Sequence, residues 1–575
     1  MVLTPTLPPL EDESLFSWCA RLADFHAGRP CYDWLSMMEI SQQSVIHHDP
    51  ACLDRLAGLT GFSRSRVTAC GIERLHERSF RHRDEPFAHS FALRTQTTFC
   101  PACLLEDRDP AGPSAGHRVG RISWVFNPVR TCPRHGILLH RRAQAGYHER
   151  FQDMNRVAPD DSDLERLAHQ SERRSVSALQ HYVQTRFTEG RGSAWVDRQR
   201  IDQTARACEM LGAVLLFGAH GELDKLTLAQ WDDAGAAGFE AAREGEDGIR
   251  CAFEEVASIS MRNRKTGGPQ AVYGRLYQSL QFNKSKSDPG PIRDVLRGHI
   301  IDTMALPAGT KLFGKEVEQR HRHSINSLSK AMGLHVKTLK HALSSAGFLD
   351  GHDTDKRDEW ASFDAAQGEA FAHRIRNSIP IKNIPAYINC NRTQAEMLVR
   401  QGIIPKLIPD KIGSGGVLTN VATEDLDEFL NRLRAAGQPV KTPGAGMVDT
   451  IAASEIARQT VTDIVQLMLD GRLSRIEILS GDLKFRSALV DPQEVRRVAT
   501  EIENARGLTM AEAATRLGIG HSGVAHLREA RDPDGHRLLP AIETSNARGT
   551  IRYRYSEDAV TRFAARHHTT RHRAG

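Results

Sequence analysis

The chain is 575 residues long, 40% hydrophobic and 26% charged, with a formal net charge of +5. That composition excludes a disordered or fibrous chain, and the length exceeds what one core can serve, so roughly three to five domains are expected. The longest apolar stretch, near Ala213 to Phe217, is far short of a membrane span, and the ten cysteines form no dense disulfide framework, so a reducing cytoplasm and no membrane contact are expected. The opening M-V-L-T-P-T-L-P-P-L-E-D-E lacks the basic and apolar regions of a signal peptide, and none is expected.

Residues 11–78 read as helices. Leu15, Trp18, Cys19 and Leu22 recur at helical spacing and predict a core stripe, with Glu11, Asp12 and Glu13 placed to suit the positive end of that helix. From Phe99 the chain reads F-C-P-A-C-L, and after a spacer holding Trp124 it reads T-C-P-R-H-G-I-L-L-H. Cys100 and Cys103 form one knuckle and Cys132 and His135 a second, with 28 residues between them. Two such corners close a tetrahedral Cys₃His site, and with every position filled by protein the ion, one Zn²⁺ per chain, is structural. The competing readings are a redox pair or ordinary buried cysteines; a redox pair calls for a thioredoxin-like βαβ context, and the matching second knuckle favours the metal.

Beyond the knuckles, helical periodicity covers Asp163 to Phe187 and Asp202 to Phe217, and Arg262 to Pro291 reads as a loop-rich interruption whose basic residues are candidate phosphate contacts. From His323 a helix, Gly333 and a second helix ending at Gly347 give the order of a helix-turn-helix. Ile325, Leu328, Ala331, Leu334, Leu339 and Leu343 are expected to pack it, leaving Lys337, Thr338, Lys340 and His341 for DNA. Positive charge collects here: residues 310–349 hold seven Lys/Arg against two Glu, and residues 507–575 eleven Arg against seven acids.

Three divergent copies of one pattern follow, over Ile384 to Phe429, Ala452 to Val495 and Leu508 to Phe563. Each reads as two short helices, a turn, a strand pair and a closing helix. They resemble winged-helix modules of the excisionase and MerR type, with I-I-P and L-L-P turns at Ile403 and Leu538 leading into the wing. Candidate DNA contacts are Arg392, Thr393, Gln394 and Arg400 in the first copy, and His521, Arg528, Arg552 and Arg554 in the last. The middle copy lacks the proline and carries Asp463 and Asp470, which repel phosphate, so it is expected to be a spacer or protein contact. A-G-Q-P-V-K-T-P-G-A-G reads as a linker before it. Gly309 to Lys315 matches most of a phosphate-binding loop, but Glu316 stands where a Ser/Thr hydroxyl is needed, and no catalytic motif occurs elsewhere.

The E-S-L-F-S-W-x-A-R-L-A run within Pro8 to Ala23, the Cys100 to Leu104 knuckle, Trp124 and the Val129 to Leu139 run resemble the TniQ family of transposon target-selection proteins, relatives of TnsD. Where many members continue with another C-x-x-C, this chain has Arg142-Ala143-Gln144-Ala145, so no second zinc site is expected there. The resemblance implies a bacterial, nucleoid-associated adaptor with no enzyme activity, whose partners are a double-stranded DNA target site, a TnsC-like AAA+ ATPase and, indirectly, the transposase; an oligomer is compatible. The alternatives are a winged-helix transcription regulator and a zinc-containing nuclease or recombinase.

The fold class expected is mainly α and multidomain. Its parts are a TniQ-like domain with the zinc finger (1–150), a helical domain (151–309), the helix-turn-helix (310–350), winged-helix-like modules at 378–435, 450–500 and 507–566, and a basic tail (567–575).

Overall fold

The computed structural model describes residues 2–76, 78–263, 267–281, 288–349, 361–408, 419–481, 483–505, 507–532, 535–545 and 551–571, with backbone alone at 262–263, 504–505, 543–545, 551–552 and 566–571. It is mainly helical and divides into two compact units, Met1–Arg322 and His323–Gly575.

The first unit opens with the helix Leu15–Ala27. Ser14 caps it by accepting from the Ser17 N–H, and Gly28 ends it at φ 60°. Leu15, Trp18, Cys19 and Leu22 are all at most 3% exposed, so the stripe faces the core as its spacing predicts. The three acids before the helix act otherwise than expected: none lies in its first turn. Asp12 instead accepts from Ser123, and Glu13 turns inward to Arg21. Helices through Ala69 close a core around Trp18 and Trp34, to which Phe151 is added from beyond the knuckles.

A second core runs from Phe80 to Val317. It takes in both knuckles and the helices Asp161–Gln170, Ala178–Glu189, Ile201–Phe217, Leu228–Arg243 and Ile292–Thr303. The boundary expected at residue 150 is therefore not a packing boundary. The knuckles are built on helices that lie beyond it: the Gln180 carboxamide accepts from the N–H groups of Arg130 and Thr131, each at 2.9 Å, and donates to the Thr131 carbonyl at 2.6 Å.

Periodicity overran one break here and left several helices uncalled, among them Leu228–Arg243, Gly245–Asn263 and Ile292–Thr303. Residues 171–177 separate Asp161–Gln170 from Ala178–Glu189. Within the supposed loop-rich stretch lies the helix Pro269–Gln281, kinked at Gly274 (φ 47°), where a Cβ would meet the Ala219 carbonyl oxygen at 1.8 Å. Most of that stretch's basic side chains fall outside the described residues. The Gly309 to Lys315 segment forms a two-stranded hairpin, Lys311–Leu312 against Lys315–Glu316, with Phe313 and Gly314 at positive φ in the turn. Leu312 and Val317 belong to the core of the first unit, so the domain expected at 310–350 begins too early.

In the second unit, Ile325–Met332 and Val336–Ser345 meet across Gly333 (φ 66°). Ile325, Leu328, Leu339 and Leu343 are fully buried as the pattern predicts, whereas Ala331 is exposed and Met332 packs in its place. A third helix, Ala365–Arg376, shares this core, as do Leu407 and Ile408 from the following module. The helix-turn-helix thus extends past residue 350.

The next two modules are not separated by a linker. Gln438–Val440, inside the presumed linker, is a strand pairing parallel with Ile476–Leu479, which pairs in turn with Ala488–Val490. One core holds Ile384, Leu398 and Phe429 together with Ile464, Phe485 and Val495. The first module comprises Ile384–Ile388, Arg392–Arg400 and Thr423–Ala435; of the stretch after Pro405 in which a wing is expected, 409–418 lie outside the described residues. The last module has its own core and runs Met510–Leu517, His521–Glu529, an antiparallel pair Ala541–Ser545 and Ile551–Tyr555, then Glu557–Arg571. That helix enters the stretch expected to be a basic tail, of which residues 572–575 lie outside the described ones.

Candidate metal centre and nucleic-acid interface

The strand Gln96–Phe99 pairs antiparallel with His140–Ala143, Phe99 opposite His140. This pairing carries the two knuckles, which lie far apart in sequence, to the same end of a short sheet. The segment 142–145, where no second zinc site is expected, supplies part of this strand. Cys100, Cys103 and Cys132 are buried, His135 is half-buried, and their ligand atoms all lie within 4.8 Å of one another; this is the only such group of Cys, His, Asp and Glu found among the described residues.

The spacing can be compared with the expected ion. Zinc bonds of about 2.3 Å to sulfur and about 2.0–2.1 Å to nitrogen, at tetrahedral angles, put sulfurs about 3.8 Å apart and a sulfur about 3.6 Å from the nitrogen. Cys103 Sγ and Cys132 Sγ are 3.6 Å apart, and His135 Nδ1 is 3.5, 3.3 and 3.5 Å from the sulfurs of Cys100, Cys103 and Cys132. The donor set therefore fits zinc in size and softness. Hydrogen bonds among the three thiols lower the pKa of the Cys132 thiol while those of Cys100 and Cys103 are raised.

One partner of the site was not singled out in the sequence. His135 Nε2 lies 2.8 Å from Glu106 Oε1, and Glu106 also binds Arg134. Nε2–H donating to a carboxylate fixes the ring with Nδ1 toward the sulfurs and strengthens it as a ligand. The signal was an acid three residues after Cys103, on the helix Pro101–Glu106. Glu106→Gln is expected to weaken zinc affinity by about 10- to 100-fold while leaving the fold intact at saturating zinc, as read by competition with a chelator.

The spacer between knuckles is also structural. Asp107 binds Arg121 at 2.8 Å and accepts from the Val119 N–H at 3.0 Å. Arg121 lies over the Trp124 ring at 4.8 Å, and that tryptophan is 2% exposed.

The candidate DNA contacts are divided by the structure. On Val336–Ser345, Lys337 and His341 are exposed while Thr338 and Lys340 are half-buried. On Arg392–Arg400, Arg392, Thr393 and Arg400 are exposed, with Arg392 paired to Glu396 at 2.8 Å. Gln394 is 5% exposed, and its carboxamide oxygen accepts from the Asn391 N–H at 2.9 Å, closing a capping box. It is an internal cap, not an outward reader of bases. His521 is exposed at the first position of its helix.

Arg528 is turned inward: it stacks over Tyr553 at 3.7 Å and binds Glu529 at 2.8 Å. Arg554 is paired with Glu503 and donates to the Gly507 carbonyl. Both hold the hairpin to its module and are not available to phosphate as placed. Arg552 lies on Ile551–Tyr555, its side chain outside the described residues. In the middle module, Thr462, Ile464, Val465, Leu467 and Met468 of the second helix are buried, leaving that helix little surface for a groove.

No curated protein matches the chain. No helix among the described residues is long and apolar enough to cross a membrane. Residues 4–139, which hold the buried Glu13 and Arg21 and all four cluster residues, match the TniQ family model, so this part of the chain is similar to a TniQ domain.

Proposed function

We propose that this chain is a DNA-binding adaptor that selects the insertion target of a transposon, recruits a TnsC-like AAA+ ATPase and, through it, brings the transposase. The observation that carries the reading is the presence, in one chain, of a TniQ domain and a second unit whose helix-turn-helix and outer modules leave Lys337, His341, Arg392, Arg400 and His521 facing outward. Basic side chains on second helices suit phosphate contacts that set register, while exposed guanidinium groups reach base edges. The first unit is left to dock the ATPase.

The Cys100, Cys103, Cys132 and His135 cluster would hold zinc with no coordination position open. Such an ion supplies folding energy, not Lewis-acid chemistry. The middle module serves as a spacer or protein contact in this scheme.

The test is assembly on DNA with the full chain, a duplex of the insertion target, a scrambled duplex and the purified ATPase. The expected result is a ternary complex on the target duplex only, with no cleavage or joining in magnesium or manganese. Target-specific binding that never retains the ATPase supports a transcription regulator instead, and cleavage abolished by one carboxylate substitution supports a nuclease.

A further inference from the structure

Within the first unit, a cavity of about 350 Å³ lies between the N-terminal helices and the strands near the knuckles. Its walls include Arg74, Arg94 and Arg150 and the imidazoles of His47, His48 and His89, and no carboxylate is among the residues lining it. The lining also holds the apolar side chains of Leu15, Val45, Ile46, Leu93, Ile122 and Val125.

Two of these charges, on Arg94 and Arg150, are not neutralised by an acid among the described residues; their guanidinium groups lie over rings, Arg94 over Phe80 at 4.6 Å and Arg150 over Tyr147 at 4.0 Å. The pKa of Arg94 is lowered, first by burial and then by the charges of Arg150 and Arg74. Glu73, the acid that acts on His48, is bound to Arg81 at 2.5 Å and does not line the cavity. His48 is 6% exposed with its Nε2 lacking a hydrogen-bond partner, and it packs where a Cβ on Gly71 would come within 2.0 Å of that nitrogen. Half-buried like charges in a partly apolar lining lower stability, and an anionic occupant offsets that cost.

We infer that this cavity docks an acidic peptide segment of a protein partner, which sets carboxylates against Arg94 and Arg150 and an apolar side chain against the wall around Leu93. Charge complementarity selects the acid, and guanidinium groups favour carboxylates through paired N–H donors. The volume decides among anions: a duplex cannot enter a cavity of about 350 Å³, and a bare phosphate leaves the apolar lining unused. An aliphatic or aromatic anchor in a pocket, ringed by charge, is the usual energetic centre of a protein interface. The inference rests on the reading that the chain recruits another protein, and is independent of how the second unit meets DNA.

The experiment uses the full zinc-loaded chain and fluorescein-labelled hexapeptide pools in which Asp or Glu alternates with Leu or Phe, beside matched pools with Asn or Gln for the acids. The acidic pool is expected to bind in preference, and Arg94→Gln with Arg150→Gln to weaken it at least about tenfold. The paired Lys variants should keep most of the binding, which separates lost charge from lost fold. Unchanged target-duplex affinity in the Gln variant is also expected, so that failure here is distinguishable from failure of the DNA-binding reading. Equal binding of acidic and amide pools, no binding of either, displacement by inorganic phosphate at equal concentration, or a Gln variant that loses duplex affinity instead would each overturn the proposal.

Discussion

Replacing Cys103 or Cys132 by Ser, or stripping the metal with a chelator, is expected to unfold the TniQ domain outright. In a closed Cys₃His site the metal-binding free energy is folding free energy, about 10–16 kcal/mol in small zinc modules, against about 5–15 kcal/mol for the net stability of a typical domain. Both cysteines are 1% exposed and sit inside the core that runs from Phe80 to Val317, so the loss should spread into the helices beyond residue 150. The knuckle backbone is held by Gln180, and order in that helix should fall together with the metal. The check is metal analysis with thermal melts and limited proteolysis: one zinc per chain and cooperative loss on chelation are expected, and folded protein without zinc contradicts the assignment.

The second large effect is expected at Arg21. Its guanidinium binds Glu13 through Nε and Nη2, both at 2.7 Å, and Nη2 also donates to the Pro8 carbonyl at 2.8 Å. The two side chains are 1% and 0% exposed. Arg21→Ala removes one half of a buried pair and strands the Glu13 charge, at a cost of about 3–5 kcal/mol. That is a large share of a domain's net stability. The double variant Arg21→Met with Glu13→Gln removes both charges and should recover part of the loss, because replacing a whole buried pair costs less than breaking it. Denaturant midpoints of the three proteins check this; equal midpoints for wild type and Arg21→Ala would falsify the structural role given to the pair.

The pair also shows why the N-terminal motif was legible as a helix but not as a network. Helical spacing marks Leu15, Trp18, Cys19 and Leu22 as core because burial follows a period. Nothing periodic says that Glu13 and Arg21 meet, since the contact joins the residue before the cap to the second turn of the helix. The metal centre was legible for a different reason. Ligand spacing is a short-range property of the chain, and all four residues come together, whereas Gln180 joins them through tertiary packing that spacing does not encode.

In the second unit, the limits are of the same kind. The hydrophobic pattern predicts the paired helices around Gly333 well, yet it cannot show that Ala365–Arg376 completes their core or that Gln438–Val440 leaves a Pro/Gly-rich stretch to become an edge strand. Candidate DNA contacts chosen by residue type alone divide once burial is known. Gln394 goes to a cap and Arg528 and Arg554 to internal pairs, because a polar side chain on a short helix or hairpin serves the local fold when a partner is within reach.

The most direct test of the central claim, that the second unit reads the target duplex, is a salt-titrated binding series with the full chain. Lys337→Ala with Arg400→Ala removes two exposed cations. Weaker binding is expected, with a salt slope lowered by up to about 2 and a reduced preference for target over scrambled duplex where Arg400 reads a base, worth about 1–3 kcal/mol. An unchanged slope and preference in this variant, with full affinity residing in residues 1–322 alone, would contradict the claim.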